Sequence, residues 1–138
     1  MKKKFFVTAM ILVMVLSTAV FAYAEGDSIS PYSTGDVTFI TDRTSRTTAD
    51  IIVDVGFTQK VDSYNVVVYL QKKVNGVWKL DTTNPDYVYY NNGFNSYDFT
   101  FSRRYTHLES GEVYRIMCVS KDYIGSNTHT TTSYSNQF

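Results

Sequence analysis

The sequence predicts an all-β domain: one antiparallel, two-sheet sandwich of about seven short strands, preceded by a signal-peptide helix. Three observations predict it. Beyond residue 24 the chain is rich in Tyr, Phe, Val, Thr and Ile and holds one alanine and three leucines, a mixture that suits a pleated, half-buried surface. Apolar residues recur with period two, which puts them on one face of a strand. Gly, Asn, Pro and Asp cluster between the alternating runs and mark turns.

The N-terminal element comes first. Lys2, Lys3 and Lys4 precede an uncharged run from Phe5 to Ala22, and Ala22-Tyr23-Ala24 stands before Glu25. Charged head, apolar middle and small residues at the first and third places of the site are the order of a secretory signal peptide cleaved after Ala24. Cleavage after Ala22 is the alternative, and an uncleaved anchor is the competing reading, since about 18 apolar residues suffice for a short span. No cysteine stands near the site for lipid attachment, and no LPxTG-type sorting signal follows. The expected product is therefore secreted, with no stable membrane anchor after cleavage. Residues 25–35 hold Gly, Ser, Pro and Asp without periodicity and read as a flexible lead-in. Residues 36–138 form the domain.

Removing residues 1–24 leaves ten basic and thirteen acidic side chains, a net charge of −3. Such a domain has no general electrostatic attraction for nucleic acid or anionic lipid. The 114 residues that remain suit a single core.

Along the domain, Val37 and Phe39 begin a first strand. Ala49, Ile51, Val53, Val55 and Phe57 alternate with Asp50, Asp54 and Gly56 as a second, with only Ile52 breaking the polar face. Tyr64 to Lys73 is a third, with Tyr64, Val66, Val68 and Leu70 on one side. Asn75-Gly76 tolerates the positive φ that a type I′ hairpin turn demands at both central positions, so Trp78 and Leu80 lie on the returning strand. Residues 82–96, with Pro85 and Gly93, read as a long connection with a short strand near Tyr87–Tyr90. Tyr97, Phe99 and Phe101 alternate next, then Tyr114, Ile116, Cys118 and Ser120. Asp122 to Asn127 reads as a turn, and Thr128 to Tyr134 as a polar last strand that could pair with a partner or a second copy.

The stretch Leu108-Glu-Ser-Gly111-Glu-Val-Tyr114 resembles the corner before strand F of fibronectin type III and immunoglobulin-like domains. The resemblance implies that Leu108 packs at the turn, Gly111 permits it and the Tyr114 hydroxyl bonds back to nearby backbone. The tryptophan that the family carries on its second strand is absent. More broadly, signal peptide, the lead Ile29-Ser30-Pro31-Tyr32 and one β domain resemble a loose group of small exported proteins of Gram-positive bacteria. That likeness implies a location and a fold and brings no activity.

The residues that carry chemistry are few. His107 and His129 lack ligand spacing and a single cysteine makes no zinc site, so no metal or cofactor is expected. Asp50 and Asp54 share an outward strand face and read as solvated rather than as a calcium site. Cys118 falls on the inward parity, a buried thiol, with an intermolecular bridge as the alternative. Glu109 and Glu112 share one tight turn, a poor place for paired acids that must face across a cleft. No catalytic residue is assigned, and the chain is expected not to be an enzyme.

Aromatic residues give the remaining signal. The Asn75-Gly76 turn pairs Lys73 with Trp78 and Gln71 with Leu80, so Val67, Tyr69, Trp78 and Leu80 share the face opposite Val66, Val68 and Leu70. Tyr87 and Tyr89 stand downstream and could extend this patch. Exposed Tyr and Trp clusters mark partner surfaces. The competing readings are that the 82–96 connection covers the face or that the parity is reversed. The function expected is a secreted binding or adhesion-type module whose partner is a protein, a cell-wall glycan or another copy of itself. A secreted effector or antibacterial toxin is the alternative.

Overall fold

The computed structural model describes residues 34–138; the signal peptide and the lead-in up to residue 33 lie outside them. Every regular element described is a strand: β1 (Thr34–Asp42), β2 (Ala49–Val74), β3 (Val77–Leu80), β4 (Val88–Tyr105), β5 (Tyr114–Ile124) and β6 (Asn127–Tyr134). They make one six-stranded antiparallel sheet, ordered β1-β2-β5-β6, with β3 and β4 also paired to β2.

The organising element is β2. Its first part lies between β1 and β4, Val53 facing Phe39 on one side and Phe101 on the other. Its second part lies between β4 and β5, Val68 facing Tyr89 and Cys118. Between these parts the register slips: Gly56 pairs with Asp98, but Val61 pairs with Ser96. Five residues of β2 advance while β4 advances two. Such a bulge bends and twists the strand. The buried side chains are odd-numbered up to Val61 and even-numbered from Tyr64 to Leu70, so the alternation changes parity just past the bulge, between Val61 and Tyr64.

The expected second and third strands are one strand, because the chain stays extended through the bulge and pairs again at Val61 and Ser63, although Thr58–Ser63 does not alternate in polarity. The same correction applies to the 82–96 connection. Only the turn before Val88 is a connection, and 91–96 continues β4, with Asn95 at φ +52. Its Asn and Gly content marks an irregularity inside a strand. The last turn is shorter than expected too: Asp122 and Tyr123 stay in β5, and Ile124 pairs with Asn127 around Gly125 at φ +58. At the first hairpin Asn75 (φ 51) and Gly76 (φ 79) both take positive φ, and Val74 pairs with Val77.

The curled sheet encloses one core. Ile51, Val53, Val55, Val66, Val68, Leu70, Phe101, Tyr114, Ile116 and Cys118 are buried in it. Aromatic rings link the two halves. Phe57 and Tyr64 stand with centroids 5.5 Å apart, Tyr64 and Phe99 5.7 Å, and Tyr89 and Phe101 4.6 Å. The Thr34 hydroxyl, on the outermost strand, donates to Asp122 Oδ2 of β5 at 2.7 Å. That bond ties the β1 edge of the curled sheet to β5, the neighbour of the opposite edge strand β6.

Candidate functional site

One broad solvent-facing feature is the outer face of the half built from β3, β4, the second part of β2, β5 and β6. Residues directly opposite one another in an antiparallel pair share a face. Register alone therefore assembles two rows. One runs Val88–Tyr69–Met117–Tyr134; the next runs Tyr90–Val67–Val119–Thr132. Trp78 and Leu80 extend the face on β3, and Phe94 and Tyr123 lie opposite Ser63 at its other end. Tyr90 is 57% exposed, Phe94 73% and Tyr134 49%.

Of the residues marked in the sequence, Val67, Tyr69 and Trp78 sit half-buried on this face and Leu80 is exposed on it. Tyr87 and Tyr89 sit elsewhere. Both are half-buried against the core, because Tyr89 pairs with Val68 and the Tyr87 carbonyl accepts from the Leu70 N–H. Val88 and Tyr90 take the outward positions. The hairpin fixes the register of β3 but not of β4, which follows a separate turn. The alternation of β5 carries the signal for Met117, which stands on the parity opposite Ile116 and Cys118, and the pairing of Met117 with Tyr134 brings in β6.

Cations organise the aromatic side chains. The Arg115 guanidinium lies 4.4 Å from the centroid of the Trp78 ring and 4.1 Å from that of Tyr134, and its Nε donates to Gln71 Oε1 at 2.7 Å. Lys73 approaches Trp78 at 5.6 Å and Lys121 approaches Tyr123 at 5.4 Å. Each such contact contributes about 0.5–1 kcal/mol at an exposed site, and together they hold otherwise mobile cations against the sheet. The Tyr90 hydroxyl donates to Asn65 Oδ1 at 3.0 Å, and Asn65 Nδ2 donates to the Tyr123 hydroxyl at 3.3 Å. Lys73, Arg115 and Lys121 occupy this face without a carboxylate among the outward strand positions.

The corner before β5 is a separate assembly. Leu108 is buried, Gly111 has φ +83, and the Glu109 N–H donates to the Tyr114 hydroxyl at 2.8 Å. Arg43 staples it from the β1–β2 loop, donating to the carbonyls of Glu112, Arg46 and Glu109 at 2.7, 2.6 and 2.8 Å. An open depression of about 590 Å³ lies beside this staple, lined by Arg46, Val113 and Phe138 among others. Arg43 is committed there to backbone carbonyls.

The remaining polar candidates have structural partners. Both Asp50 oxygens accept from Arg104 at 2.6 Å, and this bonding holds the Asp50 carboxyl below its usual range. Glu109 accepts from Lys72 at 2.6 Å. Burial pushes the Cys118 thiol up to about 12, far from the thiolate form that a nucleophile requires. His129 lies opposite Asp122 and His107 is exposed in the loop before Leu108. Among the described residues no three His, Cys, Asp or Glu side chains converge as a metal site. The chain matches no protein-family model and no curated protein.

Proposed function

We propose that this chain is a secreted, non-catalytic binding module, a small domain of the immunoglobulin-like or fibronectin type III-like sandwich class, working at the cell surface or in the medium. Its export is supported by the lysine head, apolar run and Ala22-Tyr23-Ala24 site. The sandwich reading is supported by the shared core of the two sheet halves and by the Tyr114 corner. The observation that carries the function is the row Val88–Tyr69–Met117–Tyr134, apolar and aromatic side chains set side by side on an outward sheet face. Single exposed apolar residues are ordinary; a contiguous patch marks a contact surface. The partner is a macromolecule, a protein or a cell-wall glycan, because the face is broad and open rather than a closed pocket.

Retention on purified cell walls tests this. Wild type should be retained, and Tyr69→Ala combined with Met117→Ala should reduce retention at least about tenfold while the melting transition stays cooperative, as expected when central contact residues are truncated. Equal retention of variant and wild type, or no retention of either, overturns the wall-binding form of the proposal. Killing of neighbouring cells that survives the double substitution would put the effector reading in its place.

A further inference from the structure

The outer face of the other half of the sheet carries the opposite charge. Asp36 and Asp42 of β1, Asp50 and Asp54 of β2 and Asp98 of β4 all point away from the core, and the cations among the outward strand positions of this half are Arg104 and, at the bulge, Lys60. Arg104 is bound to Asp50. Among the described residues Asp36, Asp54 and Asp98 have no ion-pair partner, and neither do Lys73, Arg115 and Lys121 on the aromatic face. Each set of charges is left unneutralised by its own half.

The two faces also correspond in layout. On the acidic face Ile40, 54% exposed, pairs with Ile52 to make an apolar centre. Asp36 and Asp42 flank it six residues apart on one strand. On the cationic face Val119 and Met117 make the centre, and Arg115 and Lys121 flank it, also six residues apart on one strand. At about 3.3 Å per residue each pair spans about 20 Å.

We propose that the acidic face of one copy docks on the cationic aromatic face of a second copy, so that the protein associates head to tail. The proposal rests on the reading of the aromatic face as a binding surface, and it names the occupant. The argument is complementarity of charge, with attraction at both ends of an apolar centre. Because the two patches differ, the contact is heterologous. Each added copy leaves one patch of each kind open, so assembly continues as a chain unless it closes into a ring.

Sedimentation of the purified exported protein tests this. Average mass should rise with concentration, and raising salt from about 0.1 M to about 1 M, which shortens the screening length from about 10 Å to about 3 Å, should return it to monomer. Lys73→Glu with Lys121→Glu should weaken self-association at least about tenfold, and Asp54→Lys with Asp98→Lys should do the same, since each sets like charges against each other. Mixed together, these two variants should associate again, since each keeps the working face that the other lacks. A monomer at every concentration overturns the proposal, as does association insensitive to both variants. A mixture that stays monomeric overturns it too. Capture of an anionic polysaccharide by the cationic face without self-association would give that face another occupant. A monomer whose wall retention still depends on Tyr69 would leave the binding-module reading standing while removing this one.

Discussion

Gly93 lies flat against the ring of Tyr64: a methyl group added there would stand 2.5 Å from the ring carbons Cε1 and Cζ and from the hydroxyl oxygen. The two residues are register partners across β2 and β4, and Tyr64 in turn contacts Phe57 and Phe99. Gly93→Ala should therefore cost about 1–3 kcal/mol, the usual penalty of overpacking. Denaturant titration measures it. Combining it with Tyr64→Leu should recover part of the loss, because the ring that the methyl meets is gone. A fully additive pair would show that the two residues do not touch.

Tyr114→Phe removes the acceptor of the Glu109 N–H. A single hydrogen bond of this kind contributes about 0.5–1.5 kcal/mol, and the substitution changes little else. Unfolding in urea should shift to lower midpoint with unchanged slope. An unshifted midpoint would mean that the corner does not depend on the hydroxyl.

Gly76→Val places a β-branched residue at φ +79, a backbone region that costs an L-residue roughly 1–2 kcal/mol. The melting temperature should fall and amide protection across Val74 and Val77 should be lost first. Retained protection there would contradict the turn.

Alkaline pH should destabilise the fold through two buried groups. Burial raises the Cys118 thiol from 9.0 to about 12 and the Tyr105 phenol from 10.0 to about 12. Both are protonated in the folded chain at pH values where the unfolded chain has already released its proton. Their contribution is whole below the unfolded value and disappears as pH rises through the folded one. Stability should thus decline from about pH 9 toward pH 12, by about 1.4 kcal/mol per pH unit for each group while it titrates. Cys118→Ala should remove the decline between pH 9 and 10 and roughly halve its slope above 10, where Tyr105 still titrates. A profile identical to wild type would remove Cys118 from the account.

The sequence showed most strands but not their continuity. Alternation at Ala49–Phe57 and Tyr64–Leu70 placed the buried side chains correctly, since one face of each must meet the core. It could not show that Thr58–Ser63 joins them. Backbone pairing holds that segment at Val61 and Ser63, and polarity carries no trace of backbone pairing. Asn91–Ser96 was opaque for the same reason. The candidate face was half visible. The Asn75-Gly76 turn fixed Trp78 opposite Lys73, whereas the outward place of Tyr90 over Tyr89 depends on a register set by the distant alignment of β4 with Val66 and Val68. The acidic face could be seen in part at Asp50 and Asp54; its extension to Asp36 and Asp98 needed the pairing of three strands.

The length of β2 bears on how the chain survives being made. Its 26 residues are complete at Val74, yet its partner β5 begins only at Tyr114 and β4 ends only at Tyr105. A nascent chain emerging from the N-terminus therefore carries a long apolar strand with open edges while some forty further residues are produced, and pairs such as Ala49 with Tyr105 form late. Distant pairings of this kind form slowly, and an exposed strand edge invites pairing with a neighbouring chain. The charges scattered along β2, Asp50, Asp54, Lys60, Asp62, Lys72 and Lys73, interrupt its apolar runs and act as gatekeepers during that interval. Removing them would show first as lost yield, before any change in the finished fold.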